Sequence, residues 1–210
     1  MAEITLNDAF GRAIHDTIIK YDFHDLLEIG SWDGTGSSLC ILTALNHSFG
    51  TLDCLEIDRE RCIQLTDNVR WATNVTTRVF NISSICKEDL IDHDFETVWA
   101  SQFNNLHRYG KQTVQSWHEH TSSELGKIAF LNSGLDKPKY DAILIDGGEF
   151  TGYSEYKIVK DRTKCLMLDD VHQAFKCSQA YHELRADADW ELITEGPDVR
   201  NGFAIFVRRS

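Results

Sequence analysis

The sequence predicts an α/β protein: a doubly wound, mostly parallel β-sheet with helices on both faces and one reversed strand near its carboxyl-terminal end. Three observations carry this prediction. Short runs that are apolar nearly throughout alternate with amphipathic stretches, and such runs are typical of strands covered on both faces. The spacing between most runs leaves room for a crossover helix. The last two runs are joined by a link too short for a helix, which predicts an antiparallel hairpin.

Seven runs are predicted as strands. The parallel strands cover residues 23–29, 51–57, 77–82, 140–145 and 164–168, and the hairpin covers residues 190–194 and 202–208. Helical patterns cover residues 7–20, 37–49, 58–72, 152–161 and 171–186. The expected result is a seven-stranded sheet with one helix ahead of the first strand and the others in the crossovers.

The stretch between the third and fourth strands is about twice as long as one strand–helix repeat needs. It is predicted as an insertion at about residues 87–138, over one end of the sheet, with a helix near residues 111–131. The insertion belongs to a single predicted domain that spans residues 1–210. Its aromatic and histidine side chains, among them Trp117, His118 and His120, are candidates to close over a ligand.

The charge balance limits the partners. The chain of 210 residues has 33 acidic and 21 basic side chains and a formal net charge of −12. This balance argues against duplex nucleic acid or an anionic membrane as a partner, because both require a cationic surface. No apolar run is long enough to span a bilayer, and the amino terminus lacks a signal pattern. Six cysteines without a C-x-x-C pair predict free thiols of a cytoplasmic protein rather than disulfides or zinc ligands.

The most informative string follows the first predicted strand. It reads Leu-Leu-Glu-Ile-Gly-Ser-Trp-Asp-Gly-Thr-Gly-Ser-Ser and places Gly30, Gly34 and Gly36 between a strand and a helix, which Ser37 or Ser38 is expected to cap. Glycines at such a turn let the backbone bend sharply and let a ligand approach the main chain. The nicotinamide pattern G-x-G-x-x-G fails, because its third glycine position holds Leu39.

The string resembles motif I of the class I S-adenosylmethionine-dependent methyltransferases, E-x-G-x-x-x-G-x-(G/S), and that family has a Rossmann-like fold. The resemblance implies that the acidic residue and the glycine loop bind the methionine part of the cofactor. It also implies that Glu56, at the tip of the second strand, binds the ribose, whereas Asp58 is expected to cap the next helix. The cofactor-binding residues expected from the resemblance are Glu28, Gly30, Ser31, Trp32, Gly34, Gly36, Glu56, Ser83, Ser84 and Asp146.

Three aspartates end two strands that are expected to be neighbours. Asp146 follows the fourth strand, and Asp169 and Asp170 follow the fifth. The carboxyl ends of adjacent parallel strands lie about 5 Å apart, at the edge where open α/β sheets bind ligands. Three carboxylates there repel one another unless a cation neutralises them, and oxygen ligands suit Mg²⁺ and similar ions better than zinc.

This arrangement resembles the metal-dependent small-molecule O-methyltransferases, of the catechol and the macrocin or mycinamicin sugar type. The resemblance implies a divalent cation, most simply Mg²⁺, on Asp146, Asp169 and Asp170. Relatives often have a Lys or His base three residues after the fourth-strand aspartate, but here that position is Glu149. Glu149 and His172 are therefore the two candidates for the general base.

The expected activity is metal-assisted transfer of a methyl group to a hydroxyl oxygen of a small molecule such as a sugar, polyol or catechol. Two alternatives remain open at this point: a nicotinamide-dependent oxidoreductase, and a non-catalytic cofactor-binding domain of the same fold. The expected partners are a small hydroxylated substrate, no nucleic acid and no membrane. The first helix and the insertion are candidate surfaces for a homo-oligomer.

Overall fold

The computed structural model describes residues 3–91, 94–102, 106–172 and 174–209. Its centre is a seven-stranded sheet with the strand order β3-β2-β1-β4-β5-β7-β6. The strands are β1 Asp25–Ile29, β2 Thr51–Leu55, β3 Thr76–Phe80, β4 Tyr140–Ile145, β5 Thr163–Asp169, β6 Trp190–Gly196 and β7 Phe203–Arg208. The first five strands are parallel, and β7 runs antiparallel to both β5 and β6. The predicted fold class and the predicted hairpin are confirmed.

The helices lie on both faces of this sheet. They are α1 Ala9–Tyr21, α2 Ser37–Leu45, α3 Arg59–Asn68, α4 Phe95–Ala100, α5 Lys111–Glu124, α6 Gly152–Val159 and α7 Gln179–Ala186. One apolar core joins side chains of α1, α2 and α3 to one face of the sheet. A second core joins side chains of α6 and α7 to the other face. Within the part of the chain described, no helix is long and apolar enough to cross a membrane.

Two helix starts show how the sequence sets the local structure. The Asp8 carboxylate accepts hydrogen bonds from the backbone N–H groups of Phe10 (2.8 Å) and Gly11 (3.1 Å) and so begins α1. Asp58 begins α3 in the same way, accepting from the N–H of Arg61 at 2.9 Å, as predicted. The predicted serine cap of α2 is wrong. Gly36 is the capping residue and makes no side-chain bond.

Two predicted helices differ from the structure. The helix expected over residues 171–186 is instead a π-helical turn, Ala174–Ser178, followed by α7, and Gln173 lies outside the described residues. The helix expected over residues 111–131 ends at Glu124. The predicted insertion contains α4 and α5, and its apolar side chains form a small core together with Phe150, which follows β4; residues 92, 93 and 103–105 lie outside the description.

The strand order brings the loops that carry the predicted site residues to one edge of the sheet. β1 pairs with β2 on one side and with β4 on the other. Successive strands are added toward one edge of the sheet from β1 to β3 and toward the other edge from β4 onward, so the strand order reverses between β1 and β4. Such a switch point opens a crevice at the carboxyl edge of the sheet. The loops that follow β1, β2, β3, β4 and β5 all begin at this edge.

Candidate active site

The glycine loop after β1 lies close against the end of β4 and helix α3. Gly30 has a φ of +87°, and a side chain there would collide with the backbone carbonyl of Asp146. Gly34 has a φ of +81°, and a Cβ there would lie 2.7 Å from a methyl carbon of Leu65. These glycines therefore let the loop pack tightly between the end of β4 and helix α3.

Glu28 lies beneath this loop. It is fully buried, its Oε2 accepts a hydrogen bond from Ser38 Oγ at 2.5 Å, and burial raises the pKa of its carboxyl group. Its Oε1 and Ser31 Oγ have no hydrogen-bond partner among the described residues. Among the described residues, the walls of the two cavities below do not include Glu28, whereas Ser31 lines one of them.

A first cavity of about 370 Å³ opens between the glycine loop, the ends of β2 and β3, and helix α5. Glu56 forms its wall at the tip of β2 and is only 5 % exposed. Burial raises the pKa of the Glu56 carboxyl group, although its Oε1 accepts a hydrogen bond from the N–H of Asp58 at 2.8 Å. Trp32 covers the cavity, with the Arg61 guanidinium 3.3 Å from its ring centroid.

The wall of this cavity also contains a carboxylate that the sequence prediction missed, next to Gly147. Glu155, on α6, is 1 % exposed, and its Oε1 accepts a hydrogen bond from Ser84 Oγ at 2.5 Å. Its Oε2 has no partner among the described residues, and burial raises the pKa of its carboxyl group. Ser83 and Ser84, which the resemblance assigns to the cofactor, both line this cavity. In the sequence, Glu155 lies between Tyr153 and Tyr156, and both tyrosines are buried in α6. This position could have indicated that Glu155 is buried too.

A second cavity, of about 400 Å³, continues from the first. The two share the walls formed by Gly30, Trp32, Asp146, Gly147 and Glu149. The second cavity also has Ser31, Gly36 and Ser37 in its wall, and its floor is formed by Asp169, Asp170 and Lys176. The pair of cavities therefore reaches from the tip of β2 to the ends of β4 and β5.

The three aspartates converge as predicted, but they surround a lysine. Lys176 Nζ donates to Asp146 Oδ1 at 2.6 Å, to Asp170 Oδ2 at 2.8 Å and to Asp169 Oδ2 at 3.3 Å. The lysine is 7 % exposed. Burial alone lowers the pKa of an ammonium group, but the three carboxylates outweigh burial and raise the pKa of Lys176 well above its usual value. Sequence analysis missed this lysine.

Arg200 supports the same cluster from the loop between β6 and β7. Its Nη2 donates to Asp169 Oδ1 at 3.1 Å, the oxygen that Lys176 does not contact. Burial raises the pKa of the Asp169 carboxyl group, but the charges of Lys176 and Arg200 outweigh this effect and hold the pKa below its usual value. Burial raises the pKa of Asp146, the carboxylate that lies nearest the glycine loop.

The residues present in this arrangement do not fit a divalent cation. Within residues 3–91, 94–102, 106–172 and 174–209, no group of three or more His, Cys, Asp or Glu side chains is placed to hold a metal ion. The point between the three aspartates is taken by the Lys176 ammonium, whose charge already offsets theirs. A divalent cation could therefore bind to these aspartates only if the Lys176 ammonium moved away from them.

The two candidate bases occupy different positions. Glu149 lines both cavities, and its Oε2 has no hydrogen-bond partner among the residues described. Burial raises the pKa of its carboxyl group, and Lys176 opposes that shift. His172 is exposed and lies beside Gly202, with its ring centroid 6.0 Å from that of Tyr181. Among described residues, the walls of these two cavities do not include His172.

The insertion reaches the first cavity with residues other than the expected ones. Thr121, Glu124 and Leu125, at the end of α5, form part of its wall. His118 is buried, and its ring centroid lies 5.7 Å from that of Phe95 and 5.1 Å from that of Phe150, two members of the small apolar core. Neither described cavity wall includes Trp117 or His120.

Comparison with solved structures identifies the class of fold. The chain is similar to an O-methyltransferase from Bacillus cereus in complex with SAH, at 13% identity and a TM-score of 0.58, covering 95% of this chain and 80% of that one. It is also similar to a methyltransferase from Geobacter sulfurreducens, at 14% identity and a TM-score of 0.59, covering 99% and 81%. The O-methyltransferase TomG from Streptomyces achromogenes, in complex with SAM, matches at 14% identity and a TM-score of 0.58, covering 95% and 79%.

The chain therefore has the Rossmann-like fold of the class I S-adenosylmethionine-dependent O-methyltransferases, which the sequence resemblance predicted. No protein-family model matches the sequence, and no curated protein matches it. Because the identity to the solved structures is low, the likeness establishes the fold, and the activity must be argued from the site.

Proposed function

We propose that this protein is an S-adenosylmethionine-dependent methyltransferase that acts on a hydroxyl oxygen of a small hydroxylated molecule. The observation that carries the proposal is the pair of joined cavities at the switch point of the sheet, with Glu56 in the wall of one and three aspartates around Lys176 in the wall of the other. S-adenosylmethionine supplies a methyl group bound to a positively charged sulfur. The protein's part is to bind this molecule, to place an acceptor hydroxyl beside it and to remove a proton.

The first cavity suits an adenosine group. Glu56 offers a carboxylate to two neighbouring ribose hydroxyls, which is the usual role of an acid at the tip of the second strand. Ser83, Ser84 and the unpaired oxygen of Glu155 add polar groups to the wall of this cavity, and a base with an amino group and ring nitrogens requires such groups. The apolar side chains of Ile57 and Ile82 provide flat contact surfaces for such a ring.

The second cavity suits the remaining part of the cofactor and the acceptor. The backbone of Gly30, Ser31 and Gly36 lines one wall, and the aspartate cluster lines the other. Glu149 lies where the two cavities meet, so it is the carboxylate placed to accept a proton from an acceptor hydroxyl. We assign it as the general base in preference to His172.

The charge of the chain favours a neutral acceptor. The net charge is −12, and acidic side chains still outnumber basic ones in the wall of the second cavity when Lys176 is counted against the aspartates and Glu149. An anionic substrate is repelled by this field, whereas hydroxyl groups donate hydrogen bonds to carboxylates. A sugar, a polyol or a catechol has the required neighbouring hydroxyls.

Calorimetric titration with S-adenosylmethionine and S-adenosylhomocysteine tests the proposal. Both are expected to bind at micromolar concentrations. Glu56→Gln should weaken binding about 10- to 100-fold, since a hydrogen bond to a charged group contributes about 1.5–3 kcal/mol. Asp58→Asn is the matched control: it changes a carboxylate two positions away that caps α3, and asparagine caps a helix equally well. Absence of binding by the unaltered protein would contradict the proposed function.

The predicted divalent cation is tested in the same titrations. Each is repeated with Mg²⁺ and with a chelator, and the acceptor screen that follows is run under both conditions. A divalent ion that takes part should raise turnover with hydroxylated acceptors, and a chelator should abolish that gain. Because Lys176 already lies between the three aspartates, we expect neither Mg²⁺ nor the chelator to change turnover.

A further inference from the structure

We propose that Lys176 is the resident cation of this site, standing where the sequence resemblance places a divalent metal ion, so that the site works without such an ion. This inference concerns the cation and rests on the proposed function only for its consequences in turnover. The observations that support it are the contacts of the ammonium group, the fixed backbone that carries it and the additional charge of Arg200.

The contacts match the bonding capacity of the group. An ammonium has three N–H donors, and Nζ of Lys176 lies within 3.3 Å of three aspartates, one for each donor. Divalent cations bind carboxylate oxygens at about 2.0–2.6 Å, so an ion between the same three carboxylates would overlap the ammonium. Lysine and metal ion therefore exclude each other.

The backbone holds the lysine at this place. Lys176 is part of the π-helical turn Ala174–Ser178, and such turns are frequent at functional sites. Helix α6 begins against it with Gly152, where any side chain would collide with the Lys176 carbonyl group. Asp170 also adopts a left-handed backbone conformation, with a φ of 52°, which turns the chain between β5 and this turn. The packing of α6 against this turn therefore fixes the backbone position of the residue that carries the ammonium group.

The charges are nearly balanced without a metal ion. Counted at full formal charge, Lys176 and Arg200 offset two of the three aspartates, and Arg200 also lies 3.7 Å from carboxylate oxygens of Glu3 and Asp8. A divalent ion added to this cluster would find weaker attraction than at three unpaired carboxylates. Lys176 therefore acts as a positioning residue: its three contacts orient the aspartates, so that their remaining lone pairs can accept hydrogen bonds from acceptor hydroxyls.

Binding of Mn²⁺ tests the inference without any measurement of activity. The free Mn²⁺ signal in electron paramagnetic resonance is recorded with equal amounts of ion and protein. The unaltered protein is expected to leave the signal unchanged. Lys176→Ala removes the ammonium and leaves three carboxylates facing one gap, so it is expected to bind one Mn²⁺ per chain. Lys164→Ala, which removes the same charge from an exposed ion pair with Asp141, should behave like the unaltered protein.

Turnover gives a second readout once an acceptor is known. A chelator should leave kcat/KM of the unaltered protein unchanged. Lys176→Ala should lose about 100-fold or more in kcat, as expected when a charged group is removed from a site of charge development, while its affinity for S-adenosylhomocysteine stays the same. Added Mg²⁺ should restore part of the lost kcat.

Two results would overturn the inference. One is uptake of one Mn²⁺ per chain by the unaltered protein with loss of that uptake in Asp170→Asn. The other is a folded Lys176→Ala protein that binds no Mn²⁺. If Lys176→Ala does not fold, the experiment on the unaltered protein decides alone. Failure of S-adenosylmethionine binding would contradict the proposed function and leave the Mn²⁺ result to decide on Lys176.

Discussion

Glu149 lies where the two cavities meet, with one carboxylate oxygen that has no hydrogen-bond partner among the described residues. Burial disfavours the charged form of a carboxyl group and therefore makes its conjugate base stronger. Asp170 and Asp169 raise the pKa of Glu149 further, while Lys176 lowers it, and the result is a pKa above the usual 4.5. A base with a raised pKa accepts a hydroxyl proton more readily than an exposed glutamate does.

The pH dependence of kcat/KM follows from this shift. A general base works only when deprotonated, so the rate should fall as the pH drops through the pKa of Glu149. Because that pKa is raised, the fall occurs at higher pH than for an ordinary glutamate. Glu149→Gln should reduce kcat by about 10²- to 10⁴-fold and remove this acidic limb. Affinity for S-adenosylhomocysteine should not change. A variant that keeps both the rate and the limb would show that another group accepts the proton.

At the scale of elements, the contact between α6 and the π-helical turn Ala174–Ser178 decides where Lys176 lies. Gly152 is the point of closest approach, facing the carbonyl group of Lys176 and the Sγ atom of Cys177. Glycine at the start of a helix is ordinarily replaced by alanine with a gain in stability, because alanine restricts the unfolded chain. Here the lack of space reverses that expectation.

Gly152→Ala should therefore lower the free energy of unfolding by about 1–3 kcal/mol, the usual cost of overpacking a filled interior. Urea denaturation followed by circular dichroism measures the change. Gly126→Ala is the control, since a Cβ at Gly126 would lie no closer than 3.4 Å to the backbone atoms of Ile128, and its effect should stay within about 0.5 kcal/mol. Equal stability of the Gly152→Ala variant and the unaltered protein would mean that α6 and the turn can separate freely.

At the scale of the whole molecule, the sequence predicts those features that depend on burial and on strand ends. β4 was predicted over residues 140–145 and is found at Tyr140–Ile145, because a central strand covered on both faces is apolar at nearly every position. The convergence of Asp146 with Asp169 and Asp170 follows from two adjacent parallel strands ending at one edge. Both inferences need only local sequence and the general rules of sheet topology.

The features that escaped prediction depend on contacts between distant segments. Lys176 lies in a stretch with helical spacing, where a lysine ordinarily faces solvent, and its burial results from the π-helical turn and from Gly152. Glu155 likewise becomes part of the cavity through Ser84, which belongs to another crossover. No periodic pattern in one sequence encodes such contacts, so the cation of the site could not be identified before the fold was known.

The last prediction concerns the unfolding of the whole chain. The first cavity has walls from the loops after β1, β2, β3 and β4 and from α5 of the insertion, which contributes Thr121 and Glu124. A ligand in this cavity therefore contacts the sheet and the insertion together. S-adenosylhomocysteine at about 100 times its Kd should stabilise the folded state by about 2.7 kcal/mol. For a chain of this size that corresponds to a rise in Tm of about 5–10 °C.

Calorimetry should show one transition that moves as a unit, because the ligand links the insertion to the sheet and the sequence predicts a single domain over residues 1–210. Glu56→Gln, measured at the same ligand concentration, should lose most of the rise in Tm, while Asp58→Asn should keep it. Two transitions, of which the ligand moves only one, would show that the insertion unfolds separately from the sheet. In that case α5 would contribute to the cavity without sharing in its stabilisation, and the insertion would have to be treated as a unit of its own.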